Sequence, residues 1–375
     1  MRTIFRKLRA RKFSYERLIQ VIIHRDALLY NLRAFKERYH TPIAPVLKSN
    51  AYGHGLIEVA RIIEKEPLPF ISLDSFFEAV VLRNEKIKTP IVIIGYSPLE
   101  NMVGNNLSDV AFAILSVDEL KKLAKSKIRI TIHLKIDTGM HRHGIVEKDL
   151  DEAFKILKDN PYIKLDGVFS HFADADIQDS LFTKLQIERW NNLVSRIKKM
   201  FPETRYFHIA QTAGSFYSSN LNANVIRLGI GLYGIHSGLE TMELHPVLEI
   251  KTRVTTLRKL EAGEYIGYNA TYKTEKEMNI ASIPMGYREG IDRRLSNKGF
   301  VLIKNIPCPI LGRVSMNITS LDVSHIPDIS IDDEVTVISR DPKSQASIET
   351  ISTISGAIPY ELLVHVPEGL QRTVL

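Results

Sequence analysis

The chain has 375 residues, of which 44% are hydrophobic and 25% are charged, and its formal net charge is +7. This length allows one large domain and a smaller one, and the composition is that of a globular protein. The single cysteine excludes an internal disulfide and a cysteine-based metal site, and no apolar run approaches the ~18 residues of a membrane span.

Residues 1–17 are predicted to form a basic N-terminal extension, because six of the first twelve residues are Lys or Arg. No apolar segment of a secretory signal follows them, so we expect a cytoplasmic protein with a solvated tail. A tail that binds nucleic acid or a membrane is the alternative. Since no zinc spacing, phosphate-binding loop or nucleic-acid motif accompanies the basic residues, we expect neither partner.

Short apolar runs alternate with amphipathic segments from residue 18 onward. Leu18–Ile23 is predicted as a strand, and helical patterns separate most of the runs that follow, most clearly at Thr183–Met200. Eight short strands with helical spacers predict a closed, TIM-type (β/α)8 barrel over residues 18–243. The eight runs are Ile43–Leu47, Pro69–Leu73, Ile91–Gly95, Val110–Leu115, Ile130–Ile136, Leu165–Ser170, Tyr206–Ile209 and Asn224–Arg227.

The pattern changes after Pro246, where strand patterns separated by turn residues replace most of the helices. Residues 244–375 are therefore predicted to form a mainly β C-terminal domain. One helix is expected near its end, at Ile348–Ile354. The predicted strands are Val247–Leu257, Ile280–Pro284, Gly299–Ile303, Ile310–Val314, Ser320–Val323 and Glu334–Ile338.

Lys48 stands at the end of the first barrel run and precedes a glycine-containing turn. Parallel barrels place their chemistry at such strand ends, and a lysine that loses its proton there forms Schiff bases. For this residue alone, an ordinary solvated lysine is the more common case. The whole string at residues 45–55, PVLKSNAYGHG, resembles the pyridoxal-phosphate lysine motif of the alanine racemase family, which consists of fold-type III enzymes.

The resemblance extends over about residues 18–370, with motifs in the family's order. It implies an enzyme that interconverts L-alanine and D-alanine, supplying D-alanine for peptidoglycan, by two-base proton transfer on a pyridoxal-phosphate aldimine. Lys48 matches one base. Tyr268, in the string YIGYNATY at 265–272, matches the other. Because the family's neighbouring subunit contributes this tyrosine, a symmetric homodimer is expected.

The resemblance also implies a set of cofactor-binding residues. Arg227 matches the arginine that hydrogen-bonds the pyridine nitrogen, and since a guanidinium is not an acid, that nitrogen stays unprotonated. His171 matches a histidine that positions the cofactor and the catalytic tyrosine. Gln211 and Thr212 replace the commoner asparagine and serine of the phosphate site. The implied phosphate-binding residues are Tyr52, Thr212, Gly229, Ile230 and Tyr360.

The substrate carboxylate is assigned to Arg142, whose planar fork binds two oxygens at once, and to Met316. Lys135 stands where family members have a lysine that can be carbamylated and then orients the arginine. Asn317 replaces a usual aspartate beside Met316. The residues assigned to the entrance of the site are Asp176, Tyr287, Arg293 and Arg313.

Two metal sites are conceivable from the sequence, one at His141 and His143 and one at His171 with Asp174 and Asp176. Neither pattern is specific, so no metal is expected. Three alternatives to an alanine racemase remain open: a racemase of another amino acid such as serine or lysine, a fold-type III amino-acid decarboxylase, and a non-catalytic cofactor carrier. The family residues at the positions of Arg227 and Tyr268 disfavour the decarboxylase, and the C-terminal domain disfavours the carrier.

Overall fold

The structure is a computed structural model, and it describes residues 15–239 and 242–375. Most of the predicted basic extension, residues 1–17, lies outside the described residues. The chain divides into two compact units. The barrel unit comprises Ile23–Leu248, Pro359–Glu368 and Val374–Leu375; the sheet unit comprises the described residues up to Ile22, Glu249–Ile358 and Gly369–Thr373. The boundary predicted between residues 243 and 244 stays a prediction.

Strand β1 (Gln20–Ile23) confirms the strand predicted at Leu18–Ile23. The barrel unit then contains eight parallel strands, each of which overlaps the apolar run predicted for it. Their near-continuous apolar sequences suit strands that are covered on both faces. The strands are β2 (Ile43–Pro45), β3 (Ile71–Leu73), β4 (Ile91–Ile93), β5 (Val110–Ile114), β6 (Ile130–Lys135), β7 (Ile163–Phe169), β8 (Tyr206–His208) and β9 (Ile226–Leu228).

The eight strands close into a ring. Strands β3 to β8 form one sheet in sequence order, and β2 pairs with β9. The Leu47 amide donates to the Ser72 carbonyl at 2.9 Å, which joins the end of β2 to β3. On the other side, the Asn224 amide donates to the Phe207 carbonyl at 2.9 Å and joins the start of β9 to β8. These bonds confirm the predicted barrel.

Amphipathic helices connect the barrel strands, and the long helix predicted at Thr183–Met200 is confirmed. The spacer after β8 is a 3-10 helix, Ala213–Asn220, and a second one, Ile230–Tyr233, follows β9. Ser75 and Ser116 cap two of the helices through their side chains. The helices are α1 (Arg25–Tyr39), α2 (Leu56–Ile63), α3 (Phe76–Asn84), α4 (Leu99–Val103), α5 (Val117–Ser126), α6 (Leu150–Asp159) and α7 (Leu181–Met200).

The sheet unit is mainly β, as predicted. Its nine-stranded sheet has the order β11-β14-β17-β16-β15-β18-β10-β1-β19, and the pairs from β11 through β10 are antiparallel. The elements are β10 (Leu248–Arg253), β11 (Thr256–Leu260), β12 (Tyr265–Ile266), β13 (Tyr272–Lys273), β14 (Met278–Ile283), β15 (Phe300–Ile303), β16 (Ile306–Leu311), β17 (Thr319–Asp322), β18 (Glu334–Ile338), α8 (Ile348–Ser355), α9 (Pro359–Val364) and β19 (Arg372–Val374).

The prediction of a single strand at Val247–Leu257 is wrong, because the segment forms β10 and β11. The chain changes partners between them: the Val254 amide donates to the Asp333 carbonyl, whereas the Thr255 amide donates to the Ser282 carbonyl, both at 2.9 Å. The sequence therefore stays apolar along this segment, although the strand to which the segment is hydrogen-bonded changes. The short elements β12, β13, α9 and β19 were not predicted, since two to six residues are too few for a periodic pattern.

Candidate active site

The C-terminal ends of the barrel strands carry the residues predicted to bind the cofactor. Lys48 follows β2, Lys135 ends β6, His171 follows β7 and Arg227 lies in β9. In a parallel barrel these ends share one rim, which is where barrel enzymes place their chemistry. The charges of Arg227, Arg142 and Lys48 all act on Lys135. The fold therefore brings these predicted residues close enough for their charges to interact.

The segment after Lys48 is a left-handed turn. Ser49, Asn50, Ala51 and Tyr52 all have φ between +52° and +56°. None of them is glycine, and the left-handed conformation costs an L-residue about 1–2 kcal/mol. Such strain persists only where surrounding contacts over-determine it, as at functional sites. The turn directs the chain away from β2 immediately after the predicted cofactor lysine.

Tertiary contacts hold this turn in place. The Asn50 side chain accepts a hydrogen bond from the Leu56 amide at 2.8 Å and so caps α2. Gly53, with φ +83°, packs against a carbonyl of α9: a Cβ at this position would lie 1.9 Å from the Leu363 oxygen. Only glycine fits there, because both the dihedral angle and the space exclude a side chain.

Polar groups converge at the predicted phosphate site. The Thr212 hydroxyl oxygen accepts hydrogen bonds from the amides of Gly229 and Gly231, each at 3.2 Å, so its proton is directed elsewhere. A Cβ at Gly229 would lie 3.1 Å from the Tyr52 hydroxyl and 3.7 Å from the Thr212 hydroxyl. Glycine thus leaves space between two hydroxyl donors. This cradle fits a phosphate group.

Two further predicted residues lie at this cradle. The rings of Tyr52 and Tyr360 approach to 5.9 Å between centroids, and Ile230 begins the 3-10 helix after Gly229. Burial raises the pKa of Tyr52 above its ordinary value, so the phenol keeps its proton and remains a donor. Gln211 is adjacent, and its buried side-chain oxygen has no hydrogen-bond partner among the described residues.

Arg227 is a buried cation held through its two terminal nitrogens. Nη1 donates to the His208 carbonyl and to His208 Nδ1, each at 2.7 Å, and Nη2 donates to the Ser170 carbonyl at 2.7 Å and to His171 Nδ1 at 3.2 Å. Burial lowers the pKa of Arg227 to about 9, so it stays charged at neutral pH. The described hydrogen bonds leave its Nε–H for another acceptor.

A chain of two histidines continues from Arg227. Because arginine only donates, His208 Nδ1 must accept. His208 then carries its proton on Nε2, which lies 2.8 Å from Nδ1 of His133. Burial lowers the pKa of both imidazoles, that of His133 to about 3. Neither residue was assigned a role from the sequence. His133 nevertheless lies two residues before Lys135 in β6, so the two side chains share the inward face of the strand.

Lys135 is buried among cations, and the only carboxylate acting on it within residues 15–239 and 242–375 is that of Asp137, whose effect is smaller than those of Arg227 and Arg142. Burial, together with the charges of Arg227 and Arg142, lowers its pKa to about 8, and its ammonium lies 5.5 Å from the centre of the Phe169 ring. A lysine in this environment is partly unprotonated at neutral pH and therefore available for reaction. Arg142, predicted to bind the substrate carboxylate, is exposed.

No metal is expected at His141 and His143 or at His171, Asp174 and Asp176. His141 instead pairs with Asp137, whose carboxylate lies 3.1 Å from Nδ1 of His141 and also accepts the Gly139 amide. No group of His, Cys, Asp or Glu among the described residues is arranged to hold a metal ion.

In the sheet unit, the structure brings together several other predicted residues. Tyr268 follows Gly267, and a Cβ at that glycine would lie 3.3 Å from the Arg313 amide nitrogen. The Tyr287 amide donates to the Ser315 carbonyl at 3.0 Å, next to Met316. Tyr268, Tyr287 and Met316 expose 68%, 45% and 55% of their surfaces. Three loops of this unit therefore present a group of exposed side chains.

The two remaining entrance residues are exposed. Arg293 begins a 3-10 helix, Arg293–Leu295, whose neighbour Ser296 accepts the Val314 amide through its hydroxyl at 3.0 Å. Asp176 lies in the loop after β7. Asn317, which replaces a usual aspartate, donates through its amide to Glu289 at 2.6 Å. An amide can make this bond and an ionised aspartate cannot.

A cavity of about 730 Å³ opens at the opposite end of the barrel, where the strands begin. Phe70, Pro90, Ile130 and Arg205 line it, and His133 lies at its wall. Because barrel enzymes react at the other rim, this cavity is not the candidate site. No helix within residues 15–239 and 242–375 has both the length and the apolarity needed to cross a membrane.

Comparisons with known proteins agree with this arrangement. The family model described as alanine racemase, N-terminal domain, matches residues 23–237, and the model for the C-terminal domain matches residues 247–374. Alanine racemase 1 of Caldanaerobacter subterraneus is 34% identical, with 96% of each chain covered.

Solved structures are also similar. The alanine racemase of Bacillus anthracis, solved with bound L-Ala-P, has a TM-score of 0.88 at 29% identity, covering 97% of this chain and 96% of that one. The alanine racemase of Bartonella henselae, solved with covalently bound pyridoxal phosphate, has a TM-score of 0.85 at 23% identity, covering 96% of this chain and 100% of that one. At that identity the second likeness shows the fold alone.

Proposed function

The chain belongs to the alanine racemase family, and from that premise we propose that Lys48 and Tyr268 are the two bases with which it interconverts L-alanine and D-alanine. The family depends on pyridoxal phosphate. When bound, this cofactor withdraws electrons from the substrate and acidifies its Cα–H bond. The observation that carries the proposal is the rim of the barrel, where Lys48, the phosphate cradle and Arg227 lie together.

Each barrel residue has a distinct part in this proposal. Lys48 would hold the cofactor through its amine and would move a proton at one face of the substrate Cα. Thr212, Tyr52, Tyr360 and the Ile230 amide would hold the phosphate, for which Gly229 leaves space beside the Tyr52 hydroxyl. The Nε–H of Arg227 would be the donor toward the pyridine nitrogen and would not protonate it, because the guanidinium stays charged below its pKa of about 9. His171 is held by Arg227 Nη2 at 3.2 Å and orients the tyrosine.

The substrate carboxylate is bound by Arg142 and by the backbone at Met316. Carbamylation of Lys135 replaces its positive charge with a negative one, which would pair with Arg142 and orient it. The lowered pKa of Lys135, about 8, supports this modification because the reacting form is the unprotonated amine. Asp176, Tyr287, Arg293 and Arg313 line the entrance.

Tyr268 is proposed to act from the partner subunit of a homodimer. On one chain this residue is 68% exposed, whereas closed active sites exclude water from the reacting atoms. A second chain that covers Tyr268, Tyr287 and Met316 would provide that enclosure. We further propose that the enzyme is cytoplasmic and supplies D-alanine for peptidoglycan.

The experiment that tests this function is chiral chromatography after the cofactor-loaded protein is incubated with single L-amino acids. We expect D-alanine to form faster than every other D-product, and K48A to form none. A different dominant D-product would assign the racemase to another amino acid, such as serine or lysine. Release of carbon dioxide would indicate a decarboxylase, and retained cofactor without conversion would indicate a carrier.

A further inference from the structure

The carboxylate of Glu78 joins two loops of the barrel rim. Its Oε1 accepts a hydrogen bond from the Ser49 amide at 2.7 Å. Its Oε2 accepts from the amides of Asp74 and Ser75 at 2.9 and 3.2 Å. Asp74 and Ser75 connect β3 to α3, whereas Ser49 directly follows Lys48. One side chain thus ties the left-handed lysine turn to the neighbouring strand-to-helix loop.

Helix capping explains only part of this arrangement. Ser75 and Glu78 form a capping box at the start of α3, in which the side chain of each residue accepts a hydrogen bond from the backbone amide of the other. A similar cap stands at α5, where the Ser116 hydroxyl accepts the Glu119 amide at 3.1 Å and Glu119 accepts the amide of Leu115, the residue before Ser116, at 2.8 Å. No bond to the lysine turn is part of that second cap. The bond from Ser49 is therefore additional to capping.

The donor of this additional hydrogen bond, Ser49, is a strained residue. Ser49, with φ +55°, is the first of the four left-handed residues, and its amide would otherwise have no acceptor within the turn, since the turn's own hydrogen bonds begin at the Ala51 amide. Three N–H donors share the two oxygens of Glu78. Only a carboxylate can accept on both sides, because a glutamine would place its NH₂ group against one of these donors.

We propose that Glu78 is a positioning residue that fixes the left-handed turn and thereby presents the Lys48 amine to the cofactor carbonyl. This inference rests on the proposed role of Lys48. Glu78 is not among the residues proposed to bind the cofactor or the substrate. Its effect on the covalent linkage passes through the Ser49 amide, one residue from Lys48.

The test compares E78A with E119A as cofactor-free proteins. Both variants lose a helix cap, but only E78A loses the bond to Ser49. We would add pyridoxal phosphate, trap the linked lysine with borohydride, and measure the rate and equilibrium constant of linkage together with the Tm. We expect similar losses of Tm, unchanged linkage in E119A, and linkage weakened by about tenfold in E78A, as for loss of a hydrogen bond to a charged acceptor.

A rescue variant separates positioning from stability. Glycine adopts the left-handed conformation without steric cost, so S49G in the E78A background should restore most of the linkage without replacing the cap on α3. If E78A does not fold, E78Q is compared with E119Q in the same assay, with the same expected order.

Equal linkage in the Glu78 and Glu119 variants would overturn the inference, as would a failure of S49G to restore linkage in folded E78A. If the wild-type protein forms no borohydride-trapped link at Lys48, the proposed role of Lys48 fails and the inference fails with it. That outcome is recognised in the wild type alone, before any variant is compared.

Discussion

Arg227 shows how a donor-only side chain fixes the protonation of its neighbours. Because its nitrogens donate to Nδ1 of His208 and of His171, both imidazoles must accept at that atom. A second proton on either ring would face the guanidinium directly, and burial further lowers the pKa of both. The hydrogen bonds from Arg227 through His208 to His133 therefore all run in one direction, and both imidazole rings are neutral.

This neutrality makes His133 a source of acid sensitivity. Its pKa is lowered from 6.5 to about 3, so between those values the unfolded chain binds a proton that the folded chain does not. The free energy of unfolding must fall as the pH falls through this window. We predict that H133Q, which cannot titrate, shows a shallower fall below pH 6.5, by up to about 1.4 kcal/mol per pH unit.

Urea unfolding at pH 7, 6 and 5 measures this slope. H365Q is the matched control, since His365 is exposed and its replacement should leave the slope unchanged. Identical slopes for the wild type and H133Q would contradict the assignment of a neutral imidazole to His133.

Tyr268 gives a prediction about the reaction itself. If Lys48 and Tyr268 serve opposite faces of Cα, Y268F should slow exchange of the α-hydrogen of one enantiomer far more than that of the other. Removing a general base typically costs 10²–10⁴-fold. Hydrogen exchange of L-alanine and D-alanine in deuterated water, followed by NMR, measures the two rates separately. Equal losses for both enantiomers would refute the assignment of two bases.

At the scale of single elements, the left-handed turn after β2 is the most unusual feature of the fold. A right-handed helix would be the default for the residues 48–52. Asn50, Gly53 and Glu78 each contribute a contact that the right-handed form would lose. The strain is concentrated beside the predicted cofactor lysine, where a fixed backbone direction matters more than local stability.

Gly53 is predicted to be indispensable to this element. G53A combines a left-handed dihedral angle with a Cβ only 1.9 Å from the Leu363 oxygen. G263A is the matched control, because Gly263 has φ +95° and no atom lies within 4 Å of the position that a Cβ would take there. Both variants bear the dihedral strain, and G53A should lose a further ~1–3 kcal/mol from overpacking.

The free energy of unfolding in urea, compared between the two variants, isolates this steric contribution. We also expect G53A, but not G263A, to weaken covalent cofactor linkage at Lys48. Equal destabilisation by both substitutions would show that α9 moves away freely and does not hold the turn.

At the scale of the whole molecule, the two predicted bases lie in different compact units: Lys48 in the barrel unit and Tyr268 in the sheet unit. A homodimer that pairs the barrel unit of one subunit with the sheet unit of the other would contain two shared sites. The exposure of Tyr268, Tyr287 and Met316 in the single chain supports such an assembly.

Complementation tests the shared site. K48A and Y268F are each expected to be nearly inactive as homodimers. Mixed dimers contain one site with both bases intact, so random reassortment should restore about a quarter of wild-type activity. Sedimentation should show a dimer throughout. A fully active monomer, or mixtures without any recovery despite subunit exchange, would contradict the proposal.

The sequence by itself determined the order of the strands and the set of residues at their ends. Eight apolar runs predicted eight parallel strands, whose C-terminal ends share one rim. The strands depend on local hydrophobic pattern and on chain order, which can be read directly, whereas the roles of Lys48, His171, Thr212 and Arg227 were implied by the resemblance of their motifs to the alanine racemase family. The partner change between β10 and β11 was missed because apolar character does not reveal which strand is the neighbour.

Only the tertiary structure decided the backbone and protonation at the site. Of the four residues from Ser49 to Tyr52, only Asn50 has a local tendency to positive φ, and the turn is held by contacts with residues such as Glu78 and Leu363, 29 and more positions away. His133 and His208 are separated by 75 positions, yet the hydrogen bond between them, together with the one from Arg227 to His208, fixes both tautomers. Long-range packing selects such states because their local cost is offset by contacts that exist only after the barrel has closed.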